Sequence, residues 1–414
     1  MNPSLANAMI MIAVLLWPQD GKDIKAPAQT PSGPLCSKCK TTGKIENPAW
    51  KEFAKIEQGA RYCSYILDKD PTGYGIPWLP CKGCRNEALR LAAEAEFKPL
   101  VEDRLHWLKQ QVIVPGLPFE LAGVRSVDQK LGIELLHVQS TNFLLTFGID
   151  HISVDQRQYT MHQAAHLYLD RLEAVFKDFL DRFGLRDIDL NADEKNPNRV
   201  LHWVQMYESP KPALKAGPIY AGLQSMDGCK RYGRPSVFVT PWNKQKNPQD
   251  QDLHRYVVHH VSHLLLMVMG AWQFVWLGEQ NAGWVEEGLG HFYEMEWFRE
   301  CHTYCTREAN LMNDWIKSDW HNFVRESIAK NQVPPIATLE GKPTDGLDVV
   351  QHVFCWSFVD YLLKAEDPKK FPAFISNLKQ KWTLPNAMRA VYGYNLATFD
   401  EKWKDWVLKA YVVK

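Results

Sequence analysis

The sequence predicts an α+β fold, in which a small sheet is followed by a mostly helical C-terminal half, with a small cysteine module in front. Three segments rich in β-branched and aromatic residues are predicted to contain strands, namely Asn142–Phe147, Arg199–Tyr207 and Pro235–Trp242. From Gln251 to the end the apolar spacing is almost entirely helical. A few strands followed by many helices are typical of α+β proteins rather than of alternating βαβ units.

Composition indicates a folded chain and excludes two classes of function. The 414 residues predict two or three domains. We expect a leader and linker over 1–34, a cysteine-rich module with amphipathic helices over 35–131, and a main domain over 132–414. Because 48 Lys and Arg balance 48 Asp and Glu, no basic field is present to hold nucleic acid. No apolar run reaches the roughly 18 to 20 residues of a transmembrane span.

The N-terminus has features of an export signal. Residues Ala6–Trp17 form one apolar stretch, and a polar segment rich in Pro, Gly and Lys follows from Pro18 to Pro34. The stretch has the length of a signal-peptide core, which predicts a periplasmic or extracellular protein. No Lys or Arg precedes it and no clear cleavage site follows. The alternative is therefore a short strand or helix that docks on the body of the protein.

The cysteine module contains two C-x-x-C pairs, Cys36/Cys39 and Cys81/Cys84. Two such pairs can supply the four thiolates of a tetrahedral structural zinc site. Gly43, after the first pair, and Gly83, inside the second, suit the tight turns that this needs. The pairs are farther apart than in the common zinc pattern, and Cys63 lies between them. Disulfides are the alternative, slightly less favoured because C-x-x-C pairs are poor structural disulfides.

Two helical regions are predicted in the first half of the chain. Strong helix formers at helical spacing predict one or two amphipathic helices over Asn86–Gln111, ended by Pro115 and Pro118. A long amphipathic helix is predicted over His162–Phe183, with Gly184 at its C-cap. We place the main domain boundary between these two regions.

The segment Leu253–Phe298 contains the residues that suggest a chemistry. His259 and His263 are four residues apart, so on a helix they point to the same side and can bind one metal ion. Glu287, in the segment WVEEGLG, can offer a carboxylate from a second helix. Two imidazoles and one carboxylate with an open fourth position form a catalytic zinc site, which acidifies bound water to a pKa of about 7. Hydrogen-bonded side chains without metal are the alternative.

These residues resemble a known family. HHVSH followed by WVEEGLGHFYE is similar to the H-E-x-x-H and W-x-x-E-G-x-A-x-Y-x-E helices of gluzincin metallopeptidases, specifically the mostly exported peptidase MA-like proteins. The resemblance covers about Thr141–Val407 and implies a gluzincin metallopeptidase-like domain, with Pro235–Trp242 as an edge strand beside the cleft. It also implies that His259, His263 and Glu287 bind one zinc ion, and that a peptide or protein is the ligand.

One position departs from this pattern and decides the expected function. His260 stands where the family has the glutamate that takes a proton from zinc-bound water. Glu286 is on the other helix and should point about 100° away from Glu287, so we expect it to be a hydrogen-bonding partner of a ligand. Because a positioned base contributes about 10² to 10⁴ in rate, we expect a zinc-containing binding or scaffold protein with impaired catalysis. The alternatives are an active zinc hydrolase that uses His260 or another base, and a metal-free structural exported protein.

Two further histidines are candidates for minor roles. His352 stands near a tyrosine of the family and could donate a hydrogen bond to an oxyanion in its place. His291, four residues after Glu287, is a candidate extra ligand or partner of a ligand. Cys301 and Cys305 are predicted to lie on one helix face without a mutual disulfide.

Overall fold

The computed structural model describes most of the chain after the N-terminal segment. The described residues are 36–48, 78–107, 111–112, 127–133, 135–190, 202–223, 228–233, 235–244, 248–270, 275–278, 280, 282–305 and 319–412. The apolar stretch Ala6–Trp17, Cys63, Pro115 and Pro118 lie outside them.

The chain divides into two compact units by its internal contacts. The first contains Met1–Ile45 and Leu79–Phe97, and the second contains Glu46–Trp78 and Lys98–Lys414. The first unit therefore holds both C-x-x-C pairs.

The predicted helix after the second cysteine pair is one continuous helix. Strands β1 (Lys44–Glu46) and β2 (Trp78–Pro80) pair as a two-stranded sheet, and helix α1 (Glu87–Trp107) follows. The side chain of Asn86 accepts a hydrogen bond from the backbone N–H of Leu89 at 3.1 Å. This N-cap satisfies a free donor at the start of the helix, which explains why α1 begins there.

The second unit is built on a six-stranded mixed sheet. Its strands, in spatial order, are β3 (Gln111–Val112), β4 (Leu136–Gln139), β5 (Phe143–Gly148), β8 (His202–Tyr207), β10 (Val237–Pro241) and β9 (Cys229–Arg231). The three strands β5, β8 and β10 are parallel, and the outer pairings are antiparallel. Two of the three predicted strand segments contain one of these parallel strands, and the third, Asn142–Phe147, covers all of β5 except Gly148.

The expected position of one strand is wrong. The segment Pro235–Trp242 forms β10, which pairs with β8 on one side and β9 on the other, so it is not an edge strand. The short strand β9 covers its free side and becomes the edge. The strand β9 carries Lys230, whose ammonium group contacts His260.

A long helix crosses from β5 back to β8. The hairpin of β6 (His151–Val154) and β7 (Arg157–Thr160) leads into α2 (Met161–Phe183). Gly184 ends the helix with φ +63, a left-handed conformation that glycine adopts without strain. The long helix and its C-cap are thus as predicted.

Helices account for nearly all regular structure after β10. Two short helices precede it, α3 (Asp187–Leu190) and α4 (Pro210–Ala216), the latter followed by a π turn at Gly217–Ala221. The later helices are α5 (Asp250–Val268), α6 (Gly283–Phe298), α7 (Trp320–Ala329), α8 (Val349–Lys364), α9 (Phe371–Lys379), α10 (Leu384–Tyr392) and α11 (Leu396–Ala410). Short 3₁₀ turns occur at Ile336–Leu339, Thr344–Gly346 and Pro368–Lys370. None of the described helices has the length and apolar character needed to cross a bilayer.

Helix α6 packs between α5 and α8, and two glycines allow it to approach both. A Cβ at Gly288 would lie 2.5 Å from the carbonyl oxygen of Cys355 on α8. A Cβ at Gly290 would lie 2.7 Å from the imidazoles of His259 and His263 on α5. The close approach of α5 and α6 brings the polar side chains of both helices together in the core.

Candidate metal centre

The three ligands expected from the sequence converge between α5 and α6. Nε2 of His259 is 3.6 Å from Oε2 of Glu287, and Nε2 of His263 is 3.9 Å from Oε1 of the same carboxylate. Nitrogen and oxygen ligands about 2.0 to 2.2 Å from a tetrahedral ion lie roughly 3.4 Å apart. A contraction of a few tenths of an ångström would therefore place all three around one ion. All three side chains are fully buried.

A fourth donor, Cys305, lies beside these three. Its Sγ is 3.8 Å from Nε2 of His259. One ligand atom from each of the four residues can be chosen so that all lie within 4.8 Å of one another. We call His259, His263, Glu287 and Cys305 the four-ligand centre.

The segment that carries Cys305 is not helical. Residues Cys301–Cys305 have no regular secondary structure, which corrects the expectation that Cys301 and Cys305 share a helix face. The Glu294 carboxylate accepts hydrogen bonds from the backbone N–H groups of His302 at 2.7 Å and Thr303 at 3.2 Å. These bonds fold the chain back after α6 and bring Cys305 to the centre.

Two buried carboxylates orient the two imidazoles. Nδ1 of His259 is 2.6 Å from Oε1 of Glu294, and Nδ1 of His263 is 3.0 Å from Oε1 of Glu286. A carboxylate at Nδ1 fixes the tautomer and ring orientation of a metal-ligating histidine, so that Nε2 is left for the ion. Glu286 thus hydrogen-bonds His263, one of the three candidate ligands.

Glu286 is held by several donors at once. It accepts hydrogen bonds from Tyr232 Oη at 2.8 Å, Trp276 Nε1 at 2.8 Å and the backbone N–H of Gly278 at 2.9 Å. Burial alone would raise the pKa of Glu286, but the hydrogen bond from His263 and the nearby charges lower it below its usual value. A carboxylate saturated in this way is a poor proton acceptor for water.

The chemistry of the four-ligand centre fits a metal ion. Nε2 of His263 and both carboxylate oxygens of Glu287 are buried, and within the described part of the chain they have no hydrogen-bond partner. Buried polar atoms normally have one, because an unpaired one costs about 1 to 3 kcal/mol. A cation bound by these atoms would remove that cost.

The charges around the four-ligand centre also favour a bound cation. The buried carboxylates are Glu286, Glu287 and Glu294. Lys230, which is partly buried, supplies one positive charge beside them. Arg255 reaches Glu294 only at 3.8 Å and is bound more closely by carboxylates of its own, Asp252 at 2.6 Å and Glu300 at 3.3 Å. Among the described residues the group is therefore short of positive charge, which a divalent ion would supply.

His260, the residue at the position of the missing base, is engaged elsewhere. Its ring packs against Phe238 and Tyr256, and its Nδ1 accepts a hydrogen bond from Lys230 Nζ at 3.0 Å. Burial, followed by the charge of Lys230, lowers the pKa of His260 well below its usual value. Lys230 also lies 3.1 Å from Sγ of Cys305. His260 is thus a neutral imidazole whose Nδ1 lone pair is occupied.

The remaining two candidate histidines, His291 and His352, also lie beside Glu287. Nε2 of His291 is 2.8 Å from Nδ1 of His352, and both nitrogens face Oε2 of Glu287, at 3.9 and 3.7 Å. Both rings are fully buried. The structure thus brings His259, His263, His291 and His352 around one carboxylate.

The four cysteines of the two pairs also come together. Sγ of Cys36 is 3.8 Å from Sγ of Cys81, and Sγ of Cys39 is 3.6 Å from Sγ of Cys84. These two distances match the roughly 3.8 Å between thiolates around a tetrahedral zinc ion with bonds of about 2.3 Å. The Sγ atoms of Cys36, Cys39 and Cys84 all lie within 4.8 Å of one another. None of the eight described cysteines forms a disulfide. We call these four residues the four-cysteine cluster.

Backbone turns position the thiols of this cluster. The N–H of Lys40 donates to the carbonyl of Cys36 at 2.9 Å, and that of Cys84 donates to Cys81 at 3.0 Å. Burial raises the pKa of Cys39, but hydrogen bonds from the Gly43 backbone and from neighbouring thiols outweigh it and lower the value to about 7. A thiol of this kind readily supplies the thiolate that a metal needs.

No protein-family model matches the chain, and no curated protein matches it in sequence. The geometry of its own residues therefore carries the functional argument.

Three residues of the site are not found by reading the sequence: Glu294, Cys305 and Lys230. A spacing signal exists for Glu294, which is seven residues after Glu287 and so lies on the same face of α6 two turns later. Cys305 and Lys230 come from a coil and an edge strand, and no periodicity links them to α5.

Proposed function

We propose that the chain is a zinc-containing protein of the gluzincin metallopeptidase-like type whose catalysis is impaired and which acts as a binding or scaffold protein. The observation that supports this best is the position of Cys305. With Cys305, the centre offers four protein ligands to one ion. Closed shells of four protein ligands are typical of structural zinc, whereas catalytic zinc keeps one position open for water.

The state of the candidate bases supports the same proposal. His260 has its Nδ1 occupied by Lys230, and Glu286 accepts hydrogen bonds from four groups besides His263. Neither residue is a free acceptor for a proton of a water molecule. Loss of general-base catalysis typically lowers a rate by about 10² to 10⁴.

The proposed role of zinc is to tie three segments together. When bound, zinc would supply a fixed positive charge between α5, α6 and the coil at Cys305. His259 and His263 would bind through Nε2, with Glu294 and Glu286 holding their Nδ1 atoms. The fold could then present a stable surface to a peptide or protein partner without hydrolysing it.

The test combines metal analysis with a hydrolysis assay on the full-length protein. We expect zinc in the purified chain, less zinc in Glu287→Ala, and no hydrolysis of a fluorogenic peptide library. The exposed Glu401→Ala serves as the control for the charge change. Robust hydrolysis by the wild type that Glu287→Ala abolishes would refute the proposal, as would equal zinc contents of the wild type and Glu287→Ala.

A double variant tests the two proposed causes of inactivity. Cys305→Ala opens the fourth ligand position, and His260→Glu restores a carboxylate where the resembling family has one. We expect the double variant to hydrolyse the peptide library at a rate at least about tenfold above the background of the assay, because a positioned base typically contributes about 10² to 10⁴ in rate. Activity that is already present in the wild type and falls in His260→Glu would instead identify an active hydrolase that uses His260.

A further inference from the structure

We propose that the core binds two metal ions that share Glu287, and that the second ion is held by His291 and His352. This inference rests on the proposed zinc ion of the four-ligand centre and adds a site beside it. Glu287, His291 and His352 form a second group of buried donors with ligand atoms within 4.8 Å of one another. The ligand class is a divalent first-row transition metal, because two imidazoles and a carboxylate suit such ions.

The distances within this second group are close to those of a metal site. His291 and His352 approach each other to 2.8 Å, and each lies 3.7 to 3.9 Å from Oε2 of Glu287. Around one ion these atoms would lie roughly 3.4 Å apart. Parting the two rings by about half an ångström and drawing the carboxylate in by a similar amount gives that arrangement. The ion would replace the hydrogen bond between the imidazoles.

Glu287 is placed to bridge two ions. Its Oε1 faces His263, and its Oε2 is within 3.9 Å of His259, His291 and His352. Neither oxygen has a hydrogen-bond donor in the described part of the chain. A carboxylate with two oxygens can bind two cations at once. In two-metal sites of proteins the ions lie about 3.5 to 4 Å apart.

Glu294 connects the two groups. Its Oε1 lies 2.6 Å from Nδ1 of His259 and 3.5 Å from Nδ1 of His291. Nδ1 of His291 is buried and has no hydrogen-bond partner among the described residues, so a small ring movement would give it one. One carboxylate would then orient an imidazole of each ion, as the partner of a metal-ligating histidine does.

The charge balance also leaves room for a second ion. With Cys305 as a thiolate, four negative groups would face the single ammonium of Lys230, since Arg255 is matched by its own carboxylates. One divalent ion leaves one negative charge without compensation. A second divalent ion would offset that negative charge and leave a net charge of +1 in this count. Its buried aromatic neighbours would be Tyr304 and Trp320, whose rings are 5.2 Å from that of His291.

The experiment counts zinc ions in full-length protein equilibrated with zinc and desalted. We expect the double variant His291→Gln/His352→Gln to contain one zinc ion fewer per chain than the wild type, and Glu287→Gln to contain two fewer. His202→Gln is the matched control, because His202 is an equally buried histidine that bonds Ser236. The four-cysteine cluster contributes equally to every variant and cancels in the differences.

The outcomes separate this inference from the proposed function. If His291→Gln/His352→Gln keeps the wild-type zinc content while Glu287→Gln loses one ion, the centre has one metal and the inference is overturned. If Glu287→Gln loses none, the proposed zinc centre fails as well.

A cobalt measurement leaves the residues around Glu287 unchanged. In the full chain with Cys81→Ser and Cys84→Ser, two equivalents of Co²⁺ should give the weakened electron paramagnetic resonance signal of two coupled ions. A signal that doubles in proportion from one to two equivalents would contradict a shared carboxylate.

Discussion

In the four-cysteine cluster the ligands come from two short turns, whereas in the four-ligand centre they come from α5, α6 and the coil that follows α6. The thiols are positioned by backbone hydrogen bonds inside each turn, such as that from Lys40 to Cys36 at 2.9 Å. The imidazoles are positioned by buried carboxylates, at 2.6 Å from Glu294 and 3.0 Å from Glu286. Local backbone turns thus position the ligands of the cluster, whereas buried charged groups position those of the centre.

This difference predicts how each site fails. A change in the cluster disturbs a small set of nearby backbone bonds. A change in the centre leaves an unmatched charge in a core where water does not reach, and such charges are expensive. We therefore expect the largest stability effects in the second unit.

The variant His259→Ala should give the largest effect. It removes a metal ligand and leaves Glu294 without its imidazole partner in a fully buried position. Removing one partner of a buried charged pair costs about 3 to 5 kcal/mol. Urea unfolding followed by tryptophan fluorescence measures this change in the free energy of unfolding.

The matched control is His151→Ala, because His151 is exposed at the start of β6. It should change the free energy of unfolding by less than about 0.5 kcal/mol. If His259→Ala were as mild as His151→Ala, buried charge would not be what stabilises the centre.

The same difference explains what the sequence could reveal. The pairing of Cys36 with Cys39 and of Cys81 with Cys84 is visible as a local motif, and His259 and His263 are visible as one helical turn. The strands and long helices follow from periodicity, which reports burial on one face. These features depend on neighbours in the chain.

The residues that sequence reading missed depend on long-range contacts. Lys230 reaches His260 across the edge of the sheet, and Cys305 is brought in by two backbone bonds to Glu294. The spacing of residues along the chain does not indicate either contact. The expected edge position of Pro235–Trp242 was wrong for a different reason, because the three-residue strand Cys229–Arg231 that covers it lies just before it in the chain and was not predicted as a strand.

A buried lysine on α9 should make the second unit sensitive to pH. Lys379 Nζ donates to the carbonyls of Leu266, Met267 and Met269, at the C-terminal end of α5. Burial lowers the pKa of Lys379 to about 7. In the unfolded chain its pKa is about 10.4, so between pH 7 and 10 the unfolded state binds the extra proton. The free energy of unfolding should therefore rise with pH in this window.

Replacing the lysine should remove that part of the pH dependence. Between pH 7 and 9.5, the wild type should gain up to about 1.4 kcal/mol per pH unit relative to Lys379→Met. Urea unfolding at a series of pH values measures the difference, with the exposed Lys370→Met as the control. Parallel curves for the wild type and Lys379→Met would show that the amine keeps an ordinary pKa.

The smallest effect of a substitution is expected at two glycines of the four-cysteine cluster. The sequence suggested a turn at both, but their backbone conformations and the space around them differ. Gly43 has φ +72, and a Cβ there would lie 2.4 Å from the carbonyl oxygen of Leu89. Gly83 has no left-handed φ, and a Cβ there would meet nothing within 4 Å. A left-handed conformation costs an L-residue about 1 to 2 kcal/mol.

We expect Gly43→Ala to weaken zinc binding by the cluster by about tenfold, which corresponds to about 1.4 kcal/mol, and Gly83→Ala to leave it unchanged. Competition with a chromogenic zinc chelator measures both, and equal affinities for the two variants would mean that backbone turns do not set the geometry of the cluster.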